Sequence, residues 1–496
     1  MSLSCFDPMF GERMLSVDEA LTVLGESLDA MPRTRPTERI TLDKATGRIL
    51  AETIVSPLDV PAQTNAAMDG IALAHASLAR ITSQDSASDV CELRVIGSSL
   101  AGHPWQGRAL EAGEALRITT GAALPAGADS VVMQEQLQYF AAALVDAPTD
   151  VLPAAGAGDA ERVVIEGASS VRQGQNVRQA GEDIACGSDV MSCGQWLTPA
   201  AIGVLASLGL AEVTVYRPVT VAVFSTGDEV TAPGDPLPMG GIFDANRYSL
   251  SALLAEQGID VLDLGILSDD RDALIVALQE AASRADMVIT SGGVSVGEAD
   301  HVRAALEACG QLALWRIAMR PGRPLAFGTL SARDDSQQRD GQVPFFGLPG
   351  NPVATMVTFL QFVLPALRQM SGQHPLIAMP STGLTGTPMT VERSTDDTSP
   401  DEQSASPSLA CWQSPRLQLI AGEAMRSRPE RVDYHRGRLV LGADGRQVVM
   451  TTGKQGSGIL TSMLAAECLI EIPAGCASIE AGKPVMVQWL GRYGVA

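Results

Sequence analysis

Between Val219 and Cys309, short apolar runs alternate with longer amphipathic segments, and that alternation leaves few folds open. Val219–Phe224, Asp260–Leu264 and Met287–Thr290 read as buried strands, while Asn246–Gly258, Asp270–Ser283 and Asp300–Cys309 carry apolar residues at helical spacing. Strands that alternate with helices build βαβ units, and these stack into a doubly wound parallel sheet with helices on both faces. In such a sheet, ligands bind beyond the carboxyl ends of the strands. The loops Ser225–Glu229, Ser268–Asp270, Ser291–Asp300, Arg320–Arg323 and Leu348–Asn351 are therefore expected around one crevice.

The segment Asp286–Asp300, DMVITSGGVSVGEAD, carries the strongest chemical signal of the five. Gly292, Gly293 and Gly297 permit a tight turn and let a ligand approach backbone N–H groups at a helix N-terminus, a natural anion cradle. Ser291 and Ser295 add hydroxyls. Glu298 and Asp300 would repel a phosphate, so their presence points to a metal ion between acid and anion; the bland alternative is a strand-to-helix turn whose acids cap the helix. In AMRPGRPLAFG (318–328), Arg320 and Arg323 flank a Pro-Gly turn and suit the bidentate clamping of an oxyanion. Asp228 and Glu229 end one strand, and Asp269 and Asp270 end another, where either of the latter pair could simply cap the next helix. Pro349 and Asn351 of LPGNP read as a turn and an N-cap by default.

The flanks differ in texture. Ser16–Met31 has helical periodicity, with Ser16 placed as a cap and Asp18 and Glu19 in the first turn. From about Thr53 to Asp183, short β-like runs broken by Gly, Pro and Asn predict a β-rich domain, in which Asp69, Thr120 and Asp183 sit on loops. Arg333–Gln342 reads as a polar insertion between two strands, and Ser381–Ser408 as an exposed linker rich in Ser, Pro and acids. Short β runs then return to the C-terminus.

A net charge of −22 argues against a nucleic-acid binder. The eight cysteines are scattered without a CxxC pair, and the five histidines lack metal-ligand spacing, so neither a disulfide framework nor a zinc site is expected. No signal peptide or membrane-spanning run is visible, and a cytoplasmic location with no membrane partner is the expectation.

Read together, the ordered blocks resemble one family, the molybdopterin molybdenumtransferases, which include MoeA and the corresponding domain of gephyrin. The blocks are SPLDVP (56–61), AMDG (67–70), RITTGA (117–122), GQNVRQAGED (174–183), FSTGDE (224–229), DANR (244–247), LGILSDD (264–270), TSGGVSVGEAD (290–300), RPGRPLAFG (320–328), LPGNPV (348–353), SRPERVDYHRG (427–437) and TGKQGSG (452–458). The sequence departs from the family at Gln63–Ala66, Ile71, Gln179, Ala180 and Ala354, and it carries Arg316, Arg320 and Arg323 where lysine is common.

This resemblance implies an elongated first domain (1–53 and 187–217), an inserted β-rich domain (54–186), a molybdopterin-binding α/β domain (218–375), a flexible insertion (376–410) and a C-terminal β-barrel domain (411–496). It implies insertion of molybdate into adenylylated molybdopterin, with Mg²⁺-assisted hydrolysis of the adenylate to AMP. The alternatives are molybdopterin adenylylation and a non-catalytic carrier or scaffold. The implied catalytic set is Asp69, Thr120, Asp183, Glu229, Asp269 and Asp300, with Glu229, Asp269 and Asp300 at the metal. Ser291, Gly292, Gly293, Ser295, Gly297, Arg316, Arg320, Arg323, Pro349 and Asn351 would hold the pterin, its phosphate or molybdate. A homodimer is implied, with the adenylyltransferase and cofactor-receiving enzymes as partners.

Overall fold

The computed structural model describes residues 13–31, 35–81, 89–140, 161–292, 300–334, 339–375, 408–442 and 445–491. The chain divides into two compact units, one of 1–52, 193–202 and 212–496 and the other of 53–192 and 203–211.

The first unit holds the βαβ region as expected. Its elements are β1 (Thr220–Thr226), α1 (Ala245–Glu256), β2 (Asp260–Leu267), α2 (Arg271–Arg284), β3 (Met287–Ser291), α3 (Asp300–Cys309), β4 (Gly310–Ile317), β5 (Pro324–Asp334), β6 (Arg339–Leu348) and α4 (Pro352–Met370). The sheet runs Met14–Leu15, β4, β5, β6, β3, β1, β2. Strands β2, β1, β3 and β6 pair in parallel, whereas β5 runs antiparallel to both β4 and β6. The reversal follows from connection length: short links join β5 to each neighbour, and a parallel crossover needs a dozen or more residues. Arg333 and Asp334 pair with residues 339–340 at the facing ends of β5 and β6, so both described ends of the polar stretch lie in the sheet.

Helices cover both faces. Leu250 and Leu254 of α1 pack with Phe359 and Phe362 of α4 and with Leu21 and Leu24 of the helix Val17–Asp29. Leu274 and Leu278 of α2 pack with Val302 and Leu306 of α3 on the other face. Helix α4 is long and apolar enough to cross a membrane, but 89% of its most apolar 18-residue window is buried within the unit, so its apolar surface is spent on the core. Ser16 caps its helix as expected, and Glu19 reaches back to complete a capping box.

In the same unit, 432–441, 447–451, 416–421, 484–489 and 468–472 close into a five-stranded barrel. Met319–Arg320 pairs alongside its strand Val432–Leu441, so one short segment joins the end of β4 to the barrel wall. The second unit is β-rich, with a six-stranded sheet ordered 130–133, 70–73, 114–118, 90–99, 161–166 and 137–140. The seven described cysteines are free.

Candidate functional site

The loops at the carboxyl ends of β1, β3 and β6 converge as the topology requires. Gly292 N–H donates to Leu348 O at 3.2 Å, which ties the start of the glycine loop to the LPGNP turn. Thr355 donates its hydroxyl to the carbonyls of Pro349 and Asn351, so α4 begins against the turn it follows. Asn351 holds the N-cap position, but its side chain makes no capping bond.

A cavity of about 560 Å³ opens there. Glu229, Gly292, Arg320, Arg323, Pro349 and Asn351, all expected, line it. Arg428, Arg431 and Ser457 from the barrel line it too. They lie in two motif blocks that sequence reading quoted without assigning them a role. Arg431 is paired with Asp433 at 2.9 Å, while Arg320, Arg323 and Arg428 have no carboxylate partner among the described residues. Just behind the lining, Arg436 is 1% exposed, and among the described residues its guanidinium donates to Ser462 Oγ, Tyr434 O and Gly456 O, with no carboxylate. Burial and the nearby Arg320 pull its pKa down to about 10. In a chain of net charge −22, this concentration of guanidinium groups makes a local anion site.

The floor is sterically defined. Gly322 has φ +101°, and a Cβ there would lie 2.3 Å from the Thr358 hydroxyl, which is buried and has no hydrogen-bond partner among the described residues.

Other expected residues fall elsewhere. Asp269 lines a separate open crevice of about 650 Å³ with Asp228, Asp270, Arg271 and Asp272. Asp270 is the N-cap of α2, accepting from Ala273 N–H at 2.8 Å. Arg316 is exposed on β4 and does not line the arginine cavity. Gly293, Ser295, Gly297 and the Asp300 side chain lie outside the described residues. Among the described residues, no three His, Cys, Asp or Glu side chains converge to hold a metal.

In the second unit, Asp69 and Thr120 meet directly. Asp69 Oδ1 accepts from the Thr120 backbone N–H at 2.6 Å and from its hydroxyl at 2.8 Å, and these bonds hold the Asp69 carboxyl below its ordinary pKa. The surrounding blocks are laced by backbone bonds: Ala66 N to Ala122 O, Ala67 N to Asn176 O, and Asp183 N to Val60 O. Four separated motifs thus form one exposed loop cluster, with Asp183 on its surface.

Sequence reading missed Asn246. Its amide donates to Ser291 Oγ at 2.6 Å and to Gly350 O at 2.7 Å. The signal was present in DANR, whose Asp244 caps α1, accepts from Ser225 and pairs with buried Arg247. Burial opposes the Arg247 charge, but Asp244 and Asp263 hold its pKa above the ordinary value.

Comparison with known proteins fits this layout. Residues 15–209 match the MoeA N-terminal region (domain I and II), residues 222–369 a probable molybdopterin binding domain, and residues 418–490 the MoeA C-terminal region (domain IV). The chain is 35% identical over 476 residues to a molybdopterin molybdenumtransferase of Haemophilus influenzae, spanning 96% of this chain and 98% of that one. It is 34% identical over 361 residues to a similarly named protein of Nostoc sp., spanning 72% and 75%. The crystal structure of the molybdopterin biosynthesis MoeA protein from Pyrococcus horikoshii OT3 superposes with a TM-score of 0.69 at 25% identity, covering 96% of this chain and all of that one.

Proposed function

The chain belongs to the molybdopterin molybdenumtransferase family, and from that membership we propose that the arginine cavity receives molybdate and the phosphate of adenylylated molybdopterin. It is a transferase of molybdenum-cofactor biosynthesis that inserts molybdenum into molybdopterin. The observation that carries the finer reading is the cavity itself, where Arg320, Arg323 and Arg428 stand beside Gly292 without an ion-pair partner among the described residues, although Glu229 and Glu430 share the lining. Guanidinium groups and backbone N–H groups are the ligands an oxyanion takes. Fixed cations beside the reacting phosphate would neutralise charge as it develops, so positioning and electrostatics suffice without a covalent nucleophile.

Mg²⁺ keeps much of its water and needs only one or two carboxylates together with substrate phosphate oxygens. The acidic crevice fits it in that manner, with Asp269 and the adjacent Asp228 as ligands. Its chemistry there would be neutralisation of the adenylate's phosphates. Glu229 leaves β1 and Asp269 leaves β2, neighbouring strands paired up to Thr226 and Leu267, so both acids border the same end of the sheet. Asp300, at the start of α3, is assigned with them from the family motif. Asp69, Thr120 and Asp183 are assigned a supporting part in the reaction, exercised within a homodimer in the cytoplasm. The adenylyltransferase would deliver the substrate, and the cofactor-receiving enzymes would take the product.

Incubation of the purified protein with adenylylated molybdopterin, Mg²⁺ and molybdate should release AMP together with molybdenum cofactor that activates an apo-molybdoenzyme. Cofactor formation without AMP release would remove the adenylate hydrolysis from this reading. Absence of both would remove the reaction.

A further inference from the structure

We propose that Asn246 is a positioning residue that aims the Ser291 hydroxyl into the anion cradle and sets the spacing between the two turns that form it. The proposal rests on the reading of that cradle given above. Asn246 lies in the first turn of α1, where capping is already provided by Asp244, which accepts from Arg247 N–H at 3.1 Å. Its amide is therefore free for other work. Both bonds reach far along the chain, to Ser291 at 45 residues and Gly350 at 104. Those partners begin the glycine loop and centre the LPGNP turn, and Gly292 and Gly350 both line the cavity.

The donor assignment has a chemical consequence. Gly350 O can only accept, so the amide nitrogen of Asn246 must be the atom that faces it. That same nitrogen then donates to Ser291 Oγ, which uses the serine oxygen as acceptor and leaves the serine hydrogen to donate elsewhere. Ser291 is 4% exposed at the end of β3 and is not itself part of the cavity lining; it precedes Gly292, which is, so a phosphate oxygen seated at that turn would be the acceptor. Asp at position 246 reverses this arrangement. Its carboxylate would accept the serine hydrogen and repel the Gly350 carbonyl, so the hydroxyl would turn away from the ligand.

The test is steady-state kinetics of N246D, S291A and the double variant. N246D should raise KM for adenylylated molybdopterin about ten-fold or more, leave kcat within about two-fold and leave KM for molybdate unchanged. In the S291A background the same exchange should add less, because the Asn246–Ser291 bond is already gone and only the bond to Gly350 is left to lose. Unchanged KM in N246D, or an equal effect with and without Ser291, overturns the proposal. Should N246D fail to fold, N246A removes the same donors and should raise KM in the same direction. If wild-type protein does not turn over adenylylated molybdopterin, the reaction assigned above fails. Equilibrium dialysis of molybdopterin against wild type and N246D then still decides the role of Asn246, with weaker binding to the variant expected and equal binding overturning it.

Discussion

At the scale of single residues, the cavity floor depends on what is missing at position 322. Gly322 combines a left-handed φ of +101° with a neighbour 2.3 Å from where a Cβ would stand, and that neighbour is the side chain of a buried core helix. G322A should therefore cost about 2–4 kcal/mol, from backbone strain and overpacking together, read as a lower denaturant midpoint. Gly350, four residues before Ala354 in the same lining, is the control: its nearest prospective contact is 4.0 Å away, and G350A should change stability by about 0.5 kcal/mol or less. The Pro-Gly dipeptide at 321–322 was legible as a turn. The need for glycine there was not, because Thr358 reaches it only through the packing of α4 against the sheet.

At the scale of elements, the β-rich unit has a charged anchor that neither periodicity nor motif announces. Glu114, at the start of strand Glu114–Ile118, is 4% exposed. It accepts both guanidinium nitrogens of Arg108, at 2.6 and 2.7 Å, and also pairs with Arg94. Arg108 foremost, with the Glu111 N–H and Arg94, holds its pKa down to about 2. A carboxylate whose pKa is depressed by folding contributes stability that is present above its unfolded pKa, about 4.3, and is lost as pH falls through the folded value. Stability of this unit should decline between about pH 4.5 and 2. E114Q should be less stable than wild type at neutral pH and show a flatter dependence across that window, followed by far-UV circular dichroism in urea at stepped pH. Equal slopes for both proteins would show that other carboxylates set the acid response. By contrast, the Ser16 cap and the Asp270 cap were readable, because a cap is specified by residues three apart on one chain segment.

At the scale of the whole molecule, the oxyanion cavity draws on parts far apart in sequence. Arg323 comes from the turn before β5, and Arg428 from the segment leading into the barrel. Each should contribute separately to oxyanion affinity. R323A and R428A are each expected to weaken molybdate binding several-fold, by isothermal titration calorimetry, with the loss shrinking as ionic strength rises. Unaltered affinity in R428A would confine the anion to the α/β layer. Sequence alone determined the βαβ order, the β-rich texture of the second unit and the family, since each is written in local periodicity or in contiguous motifs. It also pointed to Arg320 and Arg323 as a pair, because two residues separate them. Tertiary structure decided the rest. It put Asp269 in one crevice and Glu229 in another cavity, left Arg316 on the exposed side of β4, brought the barrel's arginines to the site and enlisted Asn246 as a bridge between turns. Those outcomes depend on strand order, register and barrel closure, which arise from long-range pairing that no local pattern encodes.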